Sequence, residues 1–67
     1  MKYTKRSCLT KELNTIELDM GREDFMYALA EWNAGALIQE AFPNLTRDER
    51  EFIMTGITTS EWEKAFE

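Results

Sequence analysis

The residues able to do chemistry are few: one thiol, Cys8, a set of basic side chains around it, and several carboxylate pairs. The chain contains no histidine. General acid–base work at neutral pH usually calls on imidazole, so Cys–His and Ser–His couples are excluded from this chain alone. Cys8 would be nucleophilic only as a stabilised thiolate, and Lys5, Arg6 and Lys11 lie near it in sequence. The favoured reading is an inert lone cysteine. Glu23 with Asp24, Asp48 with Glu49 and Glu51, and Glu61 with Glu63 lack the Asp-rich, glycine-turn spacing of a calcium loop. Arg47, Arg50 and Lys64 are interspersed with the last two groups, as on a solvated helix face. One thiol without imidazole cannot build a structural zinc site. Gly21, Gly35 and Gly56 are isolated and form no phosphate-cradling loop. The expectation is a protein that is not an enzyme, with no catalytic residue, cofactor or metal.

Sixty-seven residues make one domain at most. A fold this small buries only ~60% of the surface its unfolded chain exposes, so small scaffolds usually need a staple. The single cysteine rules out an intramolecular disulfide, which leaves oligomerisation. Tyr3, Phe25, Tyr27, Trp32, Phe42, Phe52, Trp62 and Phe66 are many aromatics for so small an interior. They fit either an efficient monomer core or a subunit interface, where such rings are enriched.

Charge is divided along the chain. Residues 1–11 carry Lys2, Lys5, Arg6 and Lys11 and no acid, a net +4, whereas residues 12–67 carry a net −9. The acidic body should repel nucleic acid. The basic segment could touch a phosphate or an acidic partner, although a solvated end is favoured. No stretch approaches the roughly 20 apolar residues that span a bilayer. The basic residues at the start have no apolar run behind them, so a signal peptide is not expected. Without one, the sequon Asn44-Leu45-Thr46 is accidental. A reducing cytoplasm is the expected location, with Cys8 as a free thiol.

The elements that must position these groups read as α+β, mostly α: a β-hairpin over about residues 3–20, then helices over about 22–32, 35–42, 47–55 and 59–66. Ile16, Leu18 and Met20 alternate with Glu17 and Asp19 as in a half-buried strand. Asn14-Thr15 is a plausible tight turn between residues 3–12 and 15–20. Leu9, Leu13, Ile16 and Met20 also fit a helical stripe; the Thr and Ile content and Asn14 favour strands. Gly21 with Asp24 resembles a capping arrangement, and Glu23 and Asp24 suit the positive end of a helix dipole. Phe25, Met26, Ala28, Leu29 and Trp32 share a face. The stripe changes phase at Asn33-Ala34-Gly35, so a second helix begins there, burying Leu37 and Phe42, and Pro43 ends it. Thr46 with Glu49 and Thr58 with Glu61 are capping boxes. Gly56 sits at a helix C-terminus, with Ile57 placed to touch Phe52 as in a Schellman motif. Ile57 and Trp62 occupy staple positions. Trp62 and Phe66 would form the buried face of the last helix. The pair of helices joined by residues 55–58 invites comparison with helix-turn-helix readers, but Glu61, Glu63 and Glu67 have the wrong charge for a major groove.

The stretch Gly35-Ala36-Leu37-Ile38-Gln39-Glu40-Ala41-Phe42-Pro43-Asn44-Leu45-Thr46, the continuation Arg50 to Thr58, and Glu61-Trp62 with Phe66 resemble short proteins of tailed bacteriophages and prophage regions. The resemblance covers about half the chain, residues 32–66, and implies a phage or prophage accessory protein in the cytoplasm of a bacterial host cell. It brings no catalytic residues to carry over. Most of the matched residues have a structural explanation as caps, turn and staple. Gln39 is the exception: with Trp32 and Asn33 it could line a pocket or contact surface, although an exposed glutamine on a short helix is favoured.

Two function classes follow as expectations. The first is an interaction protein, a small homo-oligomer that binds a host or phage protein and, in its sharper form, inhibits a bacterial defence component. Its acidic surface could imitate DNA toward a basic partner. The second is a sequestering protein for a nucleotide signal at a subunit interface, with Trp32 and Tyr3 for stacking and Lys2, Lys5, Arg6 and Lys11 for phosphates. The acidic body argues against the second. The candidate contact residues are Trp32, Asn33, Gln39, Tyr3, Lys5 and Arg6.

Overall fold

The computed structural model describes residues 1–66. Two strands, β1 (Lys2–Arg6) and β2 (Leu13–Glu17), precede four helices: α1 (Arg22–Asn33), α2 (Ile38–Ala41), α3 (Arg47–Thr55) and α4 (Thr59–Ala65). The fold is α+β and mostly helical, as the sequence indicates. Among the described residues, no helix is long and apolar enough to cross a membrane.

The strands pair antiparallel, with Tyr3 opposite Ile16 and Lys5 opposite Asn14. This corrects the expected turn. Asn14 and Thr15 lie inside β2, and the chain reverses over residues 7–12. Ser7, fully buried, organises that reversal. Its hydroxyl accepts the N–H groups of Leu9 and Thr10 at 3.1 and 3.2 Å. Its own N–H donates to the Glu12 carbonyl at 2.8 Å. A hydroxyl substituting for a missing backbone partner is how serine stabilises turns. Lys11 completes the loop with φ +69°. The inward alternation of Ile16, Leu18 and Met20 stands, although the strand itself stops at Glu17.

In α1, Phe25 and Ala28 are buried, and Leu29 and Trp32 pack half-buried against the core. Met26 falls off the stripe and is exposed. Gly21 is the N-cap, but no side chain caps the helix. The break expected at residues 33–35 is present. Gly35 adopts φ +115°, and the Ala36 N–H folds back onto the Glu31 carbonyl at 3.1 Å. Leu37 is then an extended N-cap, so α2 starts at Ile38 rather than at 35. Leu37 is exposed, against the expected burial, whereas Phe42 is 1% exposed.

Both capping boxes form, at Thr46 with Glu49 and Thr58 with Glu61. Gly56 is left-handed, φ +74°, and its N–H reaches the Phe52 carbonyl at 2.7 Å. The Ile57 N–H turns instead to the Thr55 hydroxyl at 3.1 Å. The ending is thus the single-bond left-handed cap and not the Schellman pair.

The core joins Leu18, Phe25, Ala28, Ala41, Phe42, Leu45 and Ile53. Tyr3 lies 4.9 Å from Phe25 and 6.1 Å from Phe52 between ring centroids, and Phe25 lies 5.7 Å from Phe42. These tilted and edge contacts suit the aromatic quadrupole. The aromatics therefore divide: Tyr3, Phe25, Phe42 and Phe52 face inward, whereas Tyr27 and Phe66 face solvent. α4 has no buried residue, which overturns the expected buried face. Trp62 stacks on Phe66 at 5.3 Å and 13°, while Phe66 is 75% exposed.

Candidate functional site

The six residues singled out from sequence fall into two groups. Tyr3, Lys5 and Arg6 lie on β1. The Tyr3 ring belongs to the aromatic core, and burial raises its phenol pKa. Lys5 is half-buried on the same inner face as Tyr3. Arg6 is exposed on the outer face, where one guanidinium nitrogen donates to the Lys11 carbonyl at 2.6 Å. Trp32, Asn33 and Gln39 flank the turn between α1 and α2. Trp32 packs against the core, while Asn33 and Gln39 are exposed. Among the described residues, neither a hydrogen bond nor a ring contact joins the two groups.

A polar seam that sequence reasoning missed holds α4 to the hairpin. Glu61 is at its centre. One carboxylate oxygen accepts the Thr58 N–H at 2.9 Å, as the capping box requires, and also the Asn14 amide at 2.8 Å. The other accepts the Thr10 hydroxyl. Asn14 further donates to the Gly56 carbonyl at 2.9 Å. The Thr10 hydroxyl first, and then the Thr58 N–H, hold the Glu61 carboxyl below the usual carboxylate range. Across this seam the Cys8 N–H donates to the Thr55 carbonyl at 3.0 Å. Gly56 lets the two backbones meet: a Cβ there would sit 2.8 Å from the Arg6 carbonyl carbon, and closer still to its oxygen. The Glu61 cap was legible. Its bonds to Thr10 and Asn14 span 51 and 47 residues, and no local spacing signals them.

Besides a shallow hollow of about 400 Å³ along α4, lined by Ser60, Glu61, Glu63 and Lys64, two hollows among the described residues lie against the core. The first, about 160 Å³, has Ile16, Phe52 and Ile57 as its floor and Asp48, Glu49 and Thr58 at its rim. It is shaped for a small apolar group. The second is a groove of about 330 Å³ between α1, the end of the hairpin and the segment after α2. Phe42, Pro43 and Leu45 contribute to its floor, and Asp19, Asp24, Tyr27 and Glu31 stand around it. Asp24, Tyr27 and Glu31 recur at i, i+3 and i+7 along one flank of α1, beside the buried Phe25 and Ala28, and their mostly polar types offered no apolar stripe to read.

The Cys8 thiol is exposed. No group of three metal-ligating side chains comes together among the described residues. The arrangement therefore offers surfaces for contact: an aromatic pair on an acidic helix, a basic hairpin face and an acidic groove. Compared with family models, curated proteins and solved structures, the chain matches none.

Proposed function

We propose that the chain is a small phage or prophage accessory protein that acts by binding a protein partner, with inhibition of a bacterial defence component as its sharper form. The observation that carries this reading is α4. The helix contributes no buried side chain, yet it holds two large rings stacked and exposed. Exposed tryptophan and phenylalanine are the residue types that anchor protein interfaces. Glu63 is exposed on the same helix, within a body whose net charge is −9. A basic protein surface is the complementary partner, approached through a favourable field.

The test is capture from a bacterial lysate with the intact chain and with Trp62→Ala/Phe66→Ala, read by native mass spectrometry. A host protein at fixed stoichiometry, lost with the double variant, is the expected result, and its activity should fall when the chain is added. Equal recovery with both chains would remove α4 from the interface. Competition with DNA for the captured protein would identify DNA imitation as the mechanism, and indifference to DNA would eliminate that form.

A further inference from the structure

The hairpin and the groove carry unmatched charges of opposite sign. Among the described residues, the ion pair present is Arg47–Glu51, on α3. Lys2 stands opposite Glu17 in the strand register without closing an ion pair, and Arg6 faces Leu13. Around the groove, Asp19, Asp24 and Glu31 have no cation within ion-pair distance. We propose that the groove of one copy receives the outer face of the hairpin of a second copy, so that the chain associates with itself through complementary charge.

The two surfaces match in spacing. Asp24 and Glu31 are separated by two helical turns, an axial rise of ~10.5 Å. Lys2, Thr4 and Arg6 point outward along β1, with Tyr3 and Lys5 turned the other way, and the outer two are ~13 Å apart. Long flexible basic side chains absorb that difference. Between the carboxylates lies Tyr27, 71% exposed, and beside Arg6 lies Leu13, 63% exposed. The contact thus pairs charge at its two ends, with Tyr27 set against Thr4 and Thr15 at its middle and Leu13 adding apolar area at the Arg6 end. The net charge of −5 repels two copies at long range. At physiological ionic strength screening acts beyond about 8 Å, so the short-range pairs decide the outcome. Two reciprocal contacts would close a two-fold dimer, whereas an unreciprocated one would propagate.

This contact uses α1 and the hairpin and leaves α4 free, so its failure would not touch the partner reading, nor the reverse. The test is sedimentation of three chains: the unaltered one, Asp24→Lys/Glu31→Lys, and Lys2→Glu/Arg6→Glu. All the substitutions are at exposed positions, and circular dichroism checks that each chain folds. The unaltered chain is expected to sediment as a dimer or larger. Each double variant should be monomeric, because like charges then face each other. An equal mixture of the two variants should recover the association, since the reversed charges match again. A monomeric unaltered chain overturns the proposal outright. So do variants that associate unchanged, or a mixture that stays monomeric.

Discussion

The two ends of the molecule are held by different physics. Around Phe42, side chains from the hairpin, α1, α2 and α3 exclude water, and seven residues of that cluster are buried. Around Glu61, α4 buries nothing and is fastened by hydrogen bonds from Thr10, Asn14 and Thr58. Apolar burial is non-directional and sums over area. A polar seam is directional, and each bond exchanges for one to water at small net gain. The core therefore sets whether the chain folds. The seam sets whether α4 is docked. Segments with few buried contacts open at lower free energy than the core, so α4 is the part of this fold that should open most readily.

The sharpest break in that comparison is Phe42→Ala. Removing a fully buried ring costs about 3–5 kcal/mol, against a total of roughly 3–10 kcal/mol for a chain of this size. Denaturant melts should show a collapse of the midpoint, with hairpin and helices lost together. Gly56→Ala comes next and acts on both regions. A left-handed backbone costs a non-glycine residue about 1–2 kcal/mol, and the added methyl would collide with the Arg6 carbonyl. Thermal melts should show the loss. Hydrogen exchange should show the hairpin loop and α4 deprotected beyond what the global loss explains.

What was legible in the sequence follows the same division. The caps at Thr46, Gly56 and Thr58 depend on residues within one turn, so spacing alone located α3 and α4 to a residue. The phase change at Asn33 likewise located the break after α1. The turn of the hairpin was misplaced because Asn14 has the composition of a turn residue. Its amide is instead spent on Gly56 and Glu61, more than forty residues away. Trp62 and Phe66 have the spacing of a buried face. Whether a neighbour covers that face depends on the path of the chain, and here Thr10 and Asn14 meet α4 on its Glu61 side. The acidic groove escaped notice because Asp24 reads as a first-turn acid suited to the helix dipole, and no local spacing ties it or Glu31 to Pro43 and Leu45.

Two smaller changes sharpen the contrast. Thr46→Ala and Thr58→Ala each remove an N-cap worth ~1 kcal/mol, but they should report differently. α3 carries Phe52 and Ile53 into the interior, so losing its cap should lower the global midpoint. α4 carries none, so Thr58→Ala should leave the midpoint nearly in place and raise exchange of the α4 amides. A shared drop in the midpoint for both variants would show that α4 belongs to the same cooperative unit as the core.

The gentlest probe is pH. The Glu61 carboxyl is held below its ordinary value, so the folded state prefers the ionised form. The stabilisation it gives is complete above the unfolded-state pKa and is lost as pH falls through the folded-state value. Acidification into and below the carboxylate range should therefore release α4, with Trp62 fluorescence and α4 amide exchange changing together. Glu61→Gln keeps an acceptor for Asn14 but cannot titrate, and should flatten that transition while leaving the core signals of Tyr3 and Phe25 unmoved. If the substituted chain still released α4 at the same pH, control would pass to other carboxylates, and the seam would be a consequence of docking rather than its cause.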